Sequence, residues 1–148
     1  MKSHLVLVFL VMVGVIGCSH NAPTLVFTFP DGFNGLVLIS EDKKSDLVLP
    51  TRNGVYNIEI PQNGELAVKD FRPFNHWHKT IARYKSGKLL SDETSTSNTQ
   101  NALFGLGYEH GRGCYYFVGT KADYDLISKK HDFYKTPLAN KLTPSALK

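Results

Sequence analysis

Asn53-Gly-Val-Tyr-Asn-Ile-Glu-Ile60 decides the fold class of this chain. Asn-Gly is the dipeptide of a two-residue hairpin turn, because both central residues of that turn take positive φ. The six residues after it alternate. Tyr56, Ile58 and Ile60 share one face and Asn57 and Glu59 the other, the period of a strand half-buried against a core. Pro61 and Asn63-Gly64 end that strand, and residues 65–71 make a further one on Leu66 and Val68.

Toward the N-terminus, Thr24-Leu-Val-Phe-Thr-Phe29 also alternates, with Leu25, Phe27 and Phe29 on one face. Pro30-Asp-Gly32 is turn chemistry, since proline presets φ and glycine accepts a positive one. Gly35-Leu-Val-Leu-Ile-Ser40 is an unbroken apolar run of strand length, expected of a central strand covered on both faces. A charged loop, 41–46, follows, and Leu47-Val-Leu49 is too short to stand alone.

Toward the C-terminus, residues 72–84 fit two patterns. Trp77, Ile81 and Tyr84 are spaced for one face of a helix. Irregular chain leading into a strand at 80–84 is the preferred reading, because Ser86-Gly87 then turns that strand into Lys88-Leu-Leu90. Residues 91–101 are rich in Ser, Thr and Asn and form a loop. Residues 102–108 recover strand character around Gly105 and Gly107, and Gly111-Arg-Gly113 leads into a buried strand, Cys114-Tyr-Tyr-Phe-Val118. Thr120 is placed to cap a short helix with Asp123 in the capping-box position. Ala122, Leu126 and Ile127 form its apolar face, and Lys129 and Lys130 suit its C-terminal dipole. From Tyr134 the chain holds Pro137 and Pro144 and is expected to be loosely ordered. Short strands with turns every eight to twelve residues predict a mainly β chain. The expectation is a single antiparallel β-sandwich, or a small barrel, over residues 24–134, with one short helix near the C-terminus and a tail at 135–148.

The first eighteen residues carry a different message. Lys2 precedes an apolar run from Leu5 to Ile16, the order of a secretory signal, and the run is shorter than the roughly 20 residues of a membrane span. Val15-Ile16-Gly17-Cys18 ends it and resembles the lipobox of bacterial lipoproteins. That resemblance implies a signal peptide at 1–17, acyl chains such as palmitate on Cys18, and the membrane as the first partner. Two or more buried acyl chains hold a protein stably where one is marginal. Ser19 stands where an aspartate would retain some lipoproteins at the inner membrane. The expected location is therefore the bacterial envelope, at the outer membrane and facing the periplasm in a diderm host. Residues 18–23 form the tether. At about 3.3–3.6 Å per extended residue it reaches under ~20 Å, which holds the domain at the membrane surface.

Composition narrows the partners. Lys and Arg number 17 against 13 Asp and Glu. Only Lys2 is lost with the signal, so the mature chain carries about +3, too little for a nucleic-acid footprint. Seven Tyr and nine Phe supply a core without metals or disulfides. With Cys18 acylated, Cys114 has no disulfide partner in the chain and is expected to be a buried, inert thiol.

The most suggestive chemistry is Asn75-His-Trp-His78. On a strand, His76 and His78 would project to one face and could share a metal, with Glu109, His110 or His131 as a third ligand. Histidines beside a half-buried Trp explain the same residues without a metal. His20 lies in the tether and reads as incidental. Asp31, Asp42 and Asp46 lack the regular ligand spacing of a calcium loop. Glu109 and His110, with Arg112 near, could be an acid–base group, but neighbours on a strand face opposite ways. No Gly-x-Ser-x-Gly, phosphate loop or His-Glu-x-x-His occurs, and no cofactor is expected.

Phe29-Pro-Asp-Gly-Phe-Asn-Gly35, Gly54-Val-Tyr-Asn-Ile-Glu-Ile-Pro61, Asn63-Gly64 and Phe117-Val-Gly-Thr120 resemble small sandwich domains of bacterial lipoproteins. The first part is also similar to the prealbumin-like and carboxypeptidase-regulatory-like sandwiches. The likeness implies a fold and no reaction. Prealbumin-like hydrolases end in Tyr-Arg-Gly-Ser, and this chain ends Ser145-Ala-Leu-Lys148. The expected function is a membrane-anchored, non-enzymatic module for an envelope protein or glycan. The alternatives are a metal-binding or hydrolytic lipoprotein using His76 and His78, and a membrane-held immunity or inhibitor protein.

Overall fold

The computed structural model of this chain describes residues 22–91, 99–109 and 112–133. The signal segment, Cys18, His20, His110 and the tail from Tyr134 lie outside the described residues. The described residues are mainly β, with two four-stranded sheets and one α-helix. The strands are β1 (Thr24–Phe29), β2 (Gly35–Glu41), β3 (Thr51–Arg52), β4 (Val55–Glu59), β5 (Glu65–Val68), β6 (Lys79–Tyr84), β7 (Ala102–Glu109) and β8 (Gly113–Gly119). The helix α1 spans Lys121–Lys130. Sheet A has the order β3-β4-β1-β6 and sheet B the order β5-β2-β8-β7.

The expected antiparallel pairing holds only in part. β1 runs parallel to both its neighbours, β4 and β6, and β2 runs parallel to β5. The β3–β4, β7–β8 and β2–β8 pairs are antiparallel. The cause lies in the connections. The Asn53-Gly54 hairpin, with φ of 53° and 76°, and the β7–β8 turn join neighbours in one sheet. The other links cross from one sheet to the other. After β4 the chain leaves for β5 and returns as β6, and β4 and β6 both run parallel to the β1 strand that lies between them. Turn residues in the sequence mark the reversal but not which sheet receives the next strand.

The facing sides of the two sheets share one core. Leu25, Phe27 and Phe29 of β1 meet Val37 and Ile39 of β2, Val68 of β5 and Val118 of β8, all at 0% exposure. Phe27 reaches the other sheet directly, its ring 5.2 Å from that of Tyr116. Burying one such phenylalanine contributes about 1.5–3 kcal/mol relative to leaving it in water.

A second apolar cluster covers the far side of sheet B. Leu36 and Leu38 of β2, Phe104 and Leu106 of β7 and Tyr115 and Phe117 of β8 pack there with Phe133. Sheet B is therefore buried on both faces, which is why β2 and β8 read as unbroken apolar runs. Thr120 caps α1, its hydroxyl accepting from the Asp123 N–H at 3.3 Å. The packed side of α1 differs from the expected one. Tyr124 stacks on Phe104 at 4.6 Å with Ile127 beside it, whereas Leu126 is 70% exposed. An aromatic with a ring to stack outcompetes the aliphatic two positions later.

Among the described residues, no helix packs on the outer side of sheet A. In the parallel register Thr24 aligns with Val55 and Lys79, Val26 with Asn57 and Ile81, and Thr28 with Glu59 and Arg83. Arg52 joins the first row through Val55, and Leu89 bridges to Arg83. Val26 is shielded by its strand neighbours yet belongs to neither core cluster.

Candidate functional site

The site is built on the segment between β5 and β6. Phe71 is fully buried and stacks on Phe74 at 4.8 Å, which anchors a turn of 3-10 helix, Arg72–Phe74. With Phe71 turned inward, Asp70 and Arg72 on either side of it face out and pair. Arg72 Nε donates to both Asp70 carboxylate oxygens at 2.9 Å, and its Nη2 to Oδ2 at 2.6 Å. This fork holds the Asp70 carboxyl below its ordinary pKa and raises that of Arg72. Tyr108 Oη donates to Asn75 Oδ1 at 2.5 Å and fixes the segment to β7.

An open cleft of about 450 Å³ lies beside this fork. Its lining includes Pro23, Val48, Leu49, Tyr56, Arg72 and His76. Pro23 belongs to the chain leading into β1, and its carbonyl accepts the Lys79 N–H at 2.9 Å. The cleft therefore opens at the end of the domain where the chain enters its first strand. The polar residues among its lining are the Asp70–Arg72 pair, Thr51, Tyr56 and His76, and Val48 and Leu49 are apolar.

The strand geometry expected for the two histidines does not apply to them. β6 begins only at Lys79, so the alternation invoked for His76 and His78 does not reach them. His78 Nδ1 lies 2.7 Å from the His76 carbonyl, which can only accept, so Nδ1 carries the proton. His131 sits on another layer, its N–H capping α1 at the Ile127 carbonyl and its ring 5.9 Å from Phe133. Among the described residues, no three His, Cys, Asp or Glu side chains gather as a metal site. His110 and the Glu109 side chain lie outside the described residues.

The remaining candidates have structural partners. Asp31 accepts from the Ser86 N–H at 2.9 Å, which ties the β1–β2 turn to the turn after β6, and hydrogen bonding from the Ser86 side chain and then its backbone lowers the Asp31 pKa. Asp42 accepts from the Lys44 N–H at 2.9 Å in a local turn. Burial pushes the Cys114 thiol up to about 12. Asp70, Arg72 and Tyr56 were not singled out by the sequence reading. An acid and a base flanking one aromatic just before a proline was the available signal.

No protein-family model matches this chain, and no curated protein matches it at a significant level. A crystal structure from Bacillus anthracis, of a chain described as a lipoprotein, is similar over 84% of this chain and 88% of that one. The identity is 13% and the TM-score 0.42, and the likeness carries no argument about this chain.

Proposed function

We propose that this protein is a lipid-anchored bacterial envelope lipoprotein whose β-sandwich acts as a non-enzymatic binding module for a protein or glycan close to the membrane. The observation that supports it most is the placement of Pro23 in the cleft wall, five residues after Cys18 in the lipobox. A tether that short keeps the cleft within reach of whatever lies at the bilayer surface. The groups around the cleft suit recognition. Arg72 is paired with Asp70, and its exposed side chain lines the cleft with Tyr56 and His76.

The test places a photo-crosslinking side chain at Val48, on the exposed rim, in the full chain in its own envelope. The expected result is one discrete adduct that Arg72→Ala weakens. A protein adduct would assign an inhibitor or immunity role, and a glycan adduct a wall-binding one. Only diffuse labelling, unchanged by Arg72→Ala, would overturn the binding reading.

A further inference from the structure

We propose that the outer face of sheet A along β6 docks on an anionic lipid bilayer, with Trp77 as its interfacial anchor. The proposal rests on the lipoprotein reading above. Four observations carry it. Trp77, the only tryptophan, is 77% exposed, and Leu89 and Ile81 are 66% and 44% exposed. Apolar side chains exposed together and rimmed by polar residues mark an interaction surface. Ile81 and Leu89 belong to the side of sheet A that no other described residue layer covers, through the Val26–Ile81 alignment and the Arg83–Leu89 bridge, and Trp77 lies two residues before β6. Basic groups surround them. Lys79 and Arg83 alternate with Ile81 along β6, and Arg52 lies in the row of Val55, Thr24 and Lys79, with Glu59 as the acidic member of the face. Finally, the Lys79 N–H is bound to the Pro23 carbonyl, so the chain that comes from Cys18 enters the domain two residues from Trp77.

Tryptophan and aliphatic side chains flanked by Lys and Arg are the composition of surfaces that settle at the headgroup level of anionic membranes. A protein partner would also cover apolar side chains. The short tether favours the bilayer, because the chain from Cys18 enters the domain beside Lys79, the first residue of β6. Docking here lays the domain on its side and leaves α1 and sheet B directed away from the lipid.

Trp77 is its own probe. The full chain is processed in cells, and the purified lipoprotein is incorporated into vesicles of phosphatidylcholine and phosphatidylglycerol, with and without brominated acyl chains. The expected result is a blue-shifted Trp77 emission, quenching by the brominated lipid and a severalfold loss of acrylamide quenching. The Lys79→Glu/Arg83→Glu variant should stay in the vesicle fraction and regain acrylamide quenching. A vesicle-bound protein whose Trp77 is quenched by acrylamide as it is in detergent would overturn the docking inference and leave the anchor standing. Failure of the wild-type chain to float with vesicles would overturn both.

Discussion

The Lys79 N–H donates to the Pro23 carbonyl at 2.9 Å, joining the first residue of β6 to the residue before β1. This bond extends the β1–β6 pairing to the residue before β1. It brings the His76-Trp77-His78 segment to the place where the chain arrives from its N-terminus. It also puts the cleft wall and the exposed edge of sheet A at the same end of the molecule. Residues more than fifty positions apart become neighbours because β1 and β6 pair in parallel, starting together at Thr24 and Lys79.

Gly107 allows the C-terminal chain to close over sheet B. A Cβ there would sit 2.7 Å from Phe133 Cβ and 2.8 Å from the Phe133 carbonyl oxygen. Gly107→Ala is expected to destabilise the domain by about 1–3 kcal/mol in urea unfolding, as overpacking does. Gly105, two residues earlier, has nothing within 4 Å of its Cβ position, so Gly105→Ala should stay within about 0.5 kcal/mol. Equal effects at the two sites would contradict the packing of Phe133 on β7.

Cys114 lies in the shared core at 4% exposure, and burial pushes its pKa up to about 12. The thiolate is the reactive form, so the native protein should resist maleimide at neutral pH. Labelling is expected only at the rate of global unfolding, and to become fast in denaturant. Fast labelling of the native chain at Cys114 would contradict its burial.

Asp70 titrates below its ordinary value because Arg72 donates to its carboxylate. A carboxyl depressed in the folded state stabilises the fold above its unfolded pKa of about 3.9, and that contribution is lost as pH falls through the lower folded value. The pair is exposed, so solvent screening keeps the effect on stability small. Carbon-13 NMR of the Asp70 carboxyl should give a midpoint below that of a free aspartate. In Arg72→Ala the midpoint should rise toward the ordinary range. An unmoved midpoint would contradict the fork.

Much of the strand layout was legible in the residues. Thr24–Phe29 alternates and is β1 without adjustment, and Asn53-Gly54 forms the turn its chemistry requires. The apolar runs of β2 and β8 announced a sheet covered on both faces. The parallel pairing of β1 with β4 and β6 was not legible, because crossings between sheets leave no local mark. The helix was correctly capped at Thr120, but its buried side turned on Tyr124 meeting Phe104, a contact twenty residues apart. At the candidate site the sequence pointed to His76 and His78 and passed over Asp70 and Arg72. The pairing of those two depends on Phe71 being drawn into the core.

The central claim is that this domain is held by lipid at Cys18, and intact mass spectrometry of the chain recovered from the bacterial envelope tests it most directly. The account predicts a polypeptide beginning at Cys18 and heavier than its sequence by a diacylglyceryl group, with or without a further acyl chain. It also predicts that Cys18→Ser abolishes both the added mass and the membrane retention. A wild-type chain that begins elsewhere, or that begins at Cys18 with no added mass, would contradict it.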